Sequence, residues 1–200
     1  RCSRDWSSDV CSSDLVLGSA SPRRKKILSG LTADFAVWSA DVEEIHDAAD
    51  PVRTVVINAQ AKYAACRRVH PQAAIIAADT LVWFEGSLIG KPADLEEAAE
   101  FLRRFSGRTQ MVFTAMAMGC ADAAGPEVRV EASSVTFRAL SEETIQAYVQ
   151  RTRPLDRAGA YDIDENGDLL IAGYEGAYTN IMGLPEAPVR DWLRANRIID

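Results

Sequence analysis

The chain has 200 residues, 48% of them hydrophobic and 26% charged, with a formal net charge of −7. This is room for one domain with a real core, in the balance of a globular protein, and no apolar run is long enough to cross a bilayer. The acidic excess argues against a nucleic-acid polymer as partner, which asks for a basic face, but leaves room for a local cluster of Arg and Lys around a small anion.

Residues 1–14 read RCSRDWSSDVCSSD, polar and Ser-rich with no helical or strand period, and are expected to be a non-native tail. Residues 15–200 are then a single domain. No charged-then-apolar signal segment opens the chain, so the expected location is cytoplasmic. Of the cysteines, Cys2 and Cys11 fall in the tail. Cys66 and Cys120 form no CxxC pair and read as reduced thiols in preference to zinc ligands with His46 and His70.

From Leu15 onward strands and helices alternate. Leu15–Leu17 is a short apolar strand, residues 18–22 a turn, residues 23–31 a helix, and Phe35–Trp38 a second strand. An acidic loop, Asp41–Asp50, leads to a helix from Pro51 to about His70, since Pro suits a first turn. On it Val52, Val55, Val56, Ala59, Tyr63 and Cys66 fall on one arc. The continuous apolar run Ala73–Ala78 predicts a buried central strand. Leu81–Phe84 and Ser87–Ile89 flank Glu85-Gly86 as a hairpin. Leu95–Phe105 is an amphipathic helix. Residues 109–120 and 127–138 predict an antiparallel pair, and Ser141 caps a further helix. A last hairpin is expected to turn at Asn166-Gly167, before a closing helix over 188–195. The mixture predicts an α/β or α+β fold with a mixed sheet.

The strongest chemical signal is Gly18-Ser19-Ala20-Ser21-Pro22-Arg23-Arg24, between a strand and a helix. Backbone N–H groups and the positive end of the dipole meet there, and two arginines stand where the dipole disfavours cations. A bound phosphate would turn that cost into a gain, because Arg grips phosphate with two donors. A capped surface helix with solvated arginines is the plain alternative. Asp79 follows the apolar run, where an unpaired carboxylate is costly and where ligands gather at strand ends; it is either functional or a turn cap. Gly86 to Lys91 is one residue short of a P-loop, and Pro92 stands where Ser or Thr would hold Mg²⁺. Lys91 alone is therefore either a phosphate contact or a surface lysine. Lys62 lies at the edge of the apolar arc, which calls for a partner, a ligand or an extended stem reaching water. Glu43 and Glu44 lie in the acidic loop. Residues 162–173 match only the start of an EF-hand: Gly173 stands at the twelfth position, and a turn explains the segment better.

Together these pieces resemble the Maf family of nucleotide pyrophosphatases. The resemblance rests on Ser19-Ala-Ser-Pro-Arg-Arg24, Ala61-Lys62, Ala78-Asp79-Thr80, Gly90-Lys91-Pro92, residues 102–107 (LRRFSG) and residues 135–138. It continues through Ala158-Gly159-Ala160-Tyr161, Glu175-Gly176 and Asn180-x-x-Gly183-Leu184-Pro185, and spans nearly all the chain after the tail. It implies a long mixed sheet in two lobes around a cleft, flanked by helices as in inosine-triphosphate pyrophosphatases, and a homodimer. The implied activity is metal-assisted hydrolysis of nucleoside triphosphates, standard or modified, to monophosphate and pyrophosphate. In one branch the substrates are dTTP and UTP. Ser19, Arg23, Arg24, Lys62 and Lys91 would hold the triphosphate, with Asp164 and Glu175 also at the substrate. Asp79 would be the catalytic carboxylate, as base or metal ligand, and Glu44 would join it in binding Mg²⁺ or Mn²⁺. Asp162-Ile163-Asp164 departs from the family's usual Gly-x-Gln, which leaves the base preference open. Rival readings are a non-catalytic nucleotide-binding regulator of cell division and a sugar-nucleotide or phosphoryl transferase. Asp79 with both lysines favours catalysis.

Overall fold

The computed structural model describes residues 15–39 and 41–200, so the expectation for the N-terminal tail lies outside the described residues. In chain order the elements are β1 (Leu15–Leu17), α1 (Pro22–Ser29), β2 (Ala36–Val37), α2 (Pro51–Val69), β3 (Ala74–Phe84), β4 (Ser87–Ile89) and α3 (Leu95–Phe105). They continue with β5 (Thr109–Gly119), β6 (Glu127–Phe137), α4 (Glu142–Thr152), a 3₁₀ turn (Ala158–Ala160), α5 (Gly167–Leu170), β7 (Ile171–Glu175), α6 (Tyr178–Ile181) and α7 (Glu186–Ala195). The strands form one mixed sheet in the order β2-β1-β3-β5-β6-β7, with β4 also on β3.

Alternation along the strands decides which helix covers which face. Val16, Ile75, Ala77, Ala115 and Ala117 point to one face, where α2 lays Val55, Ala59, Tyr63 and Cys66 over them. Leu15, Leu17, Ile76, Ala78, Met116 and Met118 point to the other, covered by Ile27 and Leu28 of α1 and Val189, Trp192 and Leu193 of α7. Further along that second face, Val82, Phe84, Val112, Val135 and Phe137 pack against Leu102 and Phe105 of α3 and Tyr148 of α4. Two cores thus share one face of the sheet, the two lobes expected.

The division between them comes from strand pairing. β3 pairs with β5 from Ile75 to Trp83. On its other edge β1 runs parallel to it as far as Ile76, and β4 runs antiparallel from Val82. Between Ile76 and Val82 that edge has no strand partner, and the chain leaving β1 at Gly18 turns away beside the gap.

Three expectations need correction. Asp79 does not end a strand: β3 continues through it because β5 pairs with it on both sides, at Ala78↔Met116 and Thr80↔Thr114. Asn166-Gly167 is not a hairpin turn. Asn166 adopts a left-handed φ of 56°, and Gly167 then opens a helical turn that buries Leu170. The strand that follows, β7, pairs with β6 instead of folding back on the preceding segment. Val52, assigned to the apolar arc of α2, is 42% exposed, whereas Val55, Ala59, Tyr63 and Cys66 of the same arc are buried.

Candidate active site

A cavity of about 430 Å³ opens at the gap in the sheet edge. The turn after β1, the middle of β3, the acidic loop, α2, the start of the 3₁₀ segment and the α6 turn all supply its walls. Because the edge is free there, Asp79 and Thr80, which point to opposite faces of β3, both reach it.

On the α2 side, Asp79 is 4% exposed. Lys62 Nζ lies 2.5 Å from Asp79 Oδ1 and 2.7 Å from Glu44 Oε1, so one ammonium joins two carboxylates. Asn58, one turn before Lys62, donates from Nδ2 to Asp79 Oδ2 at 3.2 Å and to the carbonyl of Ile45 at 3.1 Å. Its Oδ1 accepts from the Ile45 N–H at 2.9 Å. Asn58 thus clamps the acidic loop beside Asp79 and brings Glu44 to Lys62. Trp83 Nε1 donates to the Ala48 carbonyl and fixes the same loop further along.

On the opposite side, Pro22 opens α1 and Ser21 is the cap position, but the hydroxyl of Ser21 makes no capping bond. Ser19, 6% exposed, accepts at Oγ from the Ser21 N–H and from Arg24 Nη1. Arg24 also donates from Nη2 to Thr80 Oγ1 at 2.9 Å and from Nε to the Gly183 carbonyl at 2.8 Å. Burial pulls its guanidinium below the ordinary arginine value, with Arg23 adding to that and Asp79 and Glu44 opposing it. Thr80 is held in turn by Thr114 Oγ1 at 3.0 Å, which donates to the Asn180 carbonyl. Asn180, fully buried, donates to Val112 O and Ser133 Oγ and pins the α6 turn to the sheet. Gly183 needs its freedom: φ is 100°, and a Cβ there would lie 3.2 Å from Thr80 Oγ1 and 3.5 Å from Arg24 Nε.

Arg23 reaches across the cavity to Asp162 at 3.3 Å. Lys91 is exposed and lines the cavity; its loop is tied down by a bond from Gly159 N to the Gly90 carbonyl. Tyr161, whose hydroxyl burial pushes well above the ordinary range, lines the same wall with Val82, Val112 and Ile163. The lining thus mixes charged groups with these apolar side chains.

Ser19, Arg23, Arg24, Glu44, Lys62, Asp79 and Lys91 are thus brought to one cavity. Asp164 and Glu175 are not among its lining residues. Asp164 is bound to Lys26 Nζ at 2.5 Å and Tyr178 Oη at 2.8 Å, contacts that hold its carboxyl below the usual range. Glu175 is exposed at the end of β7, opposite Ser134. Sequence reasoning missed Asn58 and Thr114, and it quoted Thr80, Asn180 and Gly183 in motifs without giving them a part in the site. Asn58 had a usable signal: it precedes Lys62 by four residues, so a helix puts both on one face.

Cationic groups at a helix start facing a pair of carboxylates, in a cleft where a mixed sheet is interrupted, define a site for an anionic ligand in an α/β protein. The family model for Maf-like proteins matches residues 14–196. The chain belongs to the Maf family. It is 42% identical over 180 residues to a dTTP/UTP pyrophosphatase of Deinococcus radiodurans, covering 90% of this chain and 91% of that protein. A dTTP/UTP pyrophosphatase of Myxococcus xanthus is 42% identical over 172 residues, 86% of each chain, and that of Bacillus velezensis 39% over 174 residues, 86% of this chain and 91% of that one.

Proposed function

We propose that this chain hydrolyses nucleoside triphosphates, dTTP and UTP first among them, to the monophosphate and pyrophosphate. The observation that carries the reading is Lys62 bridging Asp79 and Glu44 across a cavity from the Ser19–Arg24 turn. The relatives' activity supports the substrate class. The reading places the enzyme in the cytoplasm, where nucleoside triphosphates are made.

Arg23, Lys91 and the N–H groups at the start of α1 bind the phosphate chain. Arg24 shapes that turn, since three of its five donors are already spent on Ser19, Thr80 and Gly183. Tyr161, Val82 and Val112 offer the apolar surface in the cavity that suits the sugar and base. Asp79 stands where it can orient a water and take its proton at a carboxylate oxygen as the water attacks the α-phosphorus. The bond from that phosphorus to the bridging oxygen breaks, and pyrophosphate leaves with charge that Arg23 and Lys91 offset.

Asp79 and Glu44 fit a divalent ion. They are hard oxygen donors that already share one cation, and among the described residues no third His, Cys or carboxylate joins them. One or two carboxylates with substrate phosphates are the usual setting for Mg²⁺, and oxygen donors also suit Mn²⁺. Such an ion supplies Lewis-acid stabilisation of the phosphoryl oxygens.

The test is a panel of nucleoside triphosphates assayed for products with Mg²⁺ or Mn²⁺. Monophosphate and pyrophosphate are expected; diphosphate and orthophosphate as main products, or nucleotide binding without turnover, would replace the reading.

A further inference from the structure

We infer that Asp162 is a positioning residue that aims Arg23 at the phosphate chain, with Arg157 as its second ion-pair partner. This rests on the reading of Arg23 as a phosphate ligand. Asp162 lines the cavity, yet its side chain is only 7% exposed. Oδ2 meets Arg23 Nη1 at 3.3 Å on one side and Arg157 Nε at 3.4 Å on the other. One further bond fixes the carboxylate and another fixes the backbone of the same residue. Oδ1 accepts from the Asp164 N–H at 2.9 Å, and the Asp162 N–H donates to the hydroxyl of Tyr148, a fully buried residue of α4. Arg157 is anchored by Glu165 at 2.7 Å.

A carboxylate in a phosphate-binding cavity is at first sight adverse. Arg157 also pairs with Glu165 and Asp156, so the cluster carries no surplus of positive charge, and what Asp162 contributes is the placement of Arg23. Arg23 engages the carboxylate through one nitrogen, which leaves its other donors for a ligand. The flexible side chain of Arg23, 32% exposed, is thereby held at the cavity wall and loses less freedom when it binds.

This makes a prediction opposite in sign to simple charge counting. Asp162→Asn keeps the shape and the acceptor for Asp164 but removes one negative charge from the cavity. Charge alone says that a polyanion then binds more tightly. Positioning says that it binds more weakly, because an amide N–H now faces two guanidinium groups and Arg23 is released.

The experiment compares wild type, Asp162→Asn, Asp162→Glu, Arg23→Ala and the double variant Arg23→Ala/Asp162→Asn. The readouts are KM and kcat for dTTP, and calorimetric titration with inorganic tripolyphosphate, which needs no turnover. In Asp162→Asn, KM and the tripolyphosphate Kd should rise roughly fivefold, the scale of a partly exposed ion pair, with a smaller change in kcat. Asp162→Glu, which retains the carboxylate, should recover part of the loss. On the Arg23→Ala background Asp162→Asn should add nothing. Affinity that stays level or tightens in Asp162→Asn, or a full effect that persists without Arg23, overturns the inference. If wild type releases no pyrophosphate while tripolyphosphate follows the expected pattern, the proposed activity fails and the role of Asp162 stands.

Discussion

Lys62 and Asp79 touch each other, yet removing one should not equal removing the other. Lys62→Met takes the ammonium from a carboxylate whose side chain is 5% exposed and leaves it with Asn58 alone. Breaking a buried pair this way costs about 3–5 kcal/mol. Lys62 keeps 17% exposure, so water can repair part of the loss, and about 2–3 kcal/mol is expected here. For a chain of this size that corresponds to a fall in melting temperature of about 4–12 °C. Asp79→Asn leaves Lys62 with Glu44 at 2.7 Å and retains an acceptor for Asn58. Its amide nitrogen then faces the Lys62 ammonium, so a stability cost of about 1–2 kcal/mol, below that of Lys62→Met, is expected, while turnover drops by a factor of about a hundred or more as base and anionic ligand vanish together. The assay is thermal unfolding in chelator beside steady-state pyrophosphate release in Mg²⁺. If Lys62→Met melts with wild type, the pair is not a buried charge pair in solution. If a folded Asp79→Asn turns over near the wild-type rate, Asp79 is structural.

Chelation with EDTA should abolish pyrophosphate release, and added Mg²⁺ or Mn²⁺ should restore it; full activity in chelator removes Glu44 and Asp79 as ion ligands. Gly183→Ala forces a side chain into a left-handed φ against Thr80 and Arg24, so it should lose about 1–3 kcal/mol of stability by chemical denaturation and raise KM; a wild-type denaturation midpoint counts against that strain. Arg103 and then Gln146 hold the Glu142 carboxyl down to about 2 from its ordinary 4.5. A lowered folded-state value gives stability that is full above the ordinary value and lost as pH falls toward about 2. The gap in melting temperature between wild type and Glu142→Gln should therefore be present at neutral pH and close on acidification; a gap independent of pH refutes the contact.

The sequence was most legible where a local rule acts alone. The apolar run before Asp79 gave a central strand, and Pro51 and Ser141 marked helix starts that α2 and α4 follow closely. Asp79 seemed to end its strand because apolar residues stop there. The strand continues because β5 supplies partners up to Trp83, and pairing across 34 residues of separation leaves no local trace. The same holds for Arg24. Its basic character was visible, but its acceptors Thr80 and Gly183 are 56 and 159 residues away, so its contribution to shaping the turn could not be read from a motif. Asn166-Gly167 misled because both residues allow a left-handed backbone, and such a residue can open a helical turn as readily as close a hairpin.

The reach of Arg24 has a consequence for how the protein comes into being. Its three acceptors lie at the beginning, the middle and nearly the end of the chain: Ser19, Thr80 and Gly183. During synthesis the basic turn leaves the ribosome well before its last acceptor, which follows 159 residues after Arg24. Until then the buried arginine lacks its final acceptor and the α6 turn is not pinned to the sheet. A growing chain can therefore form much of its sheet without being able to hold a nucleotide, and a product truncated before Gly183 would carry nearly every site residue without a completed site.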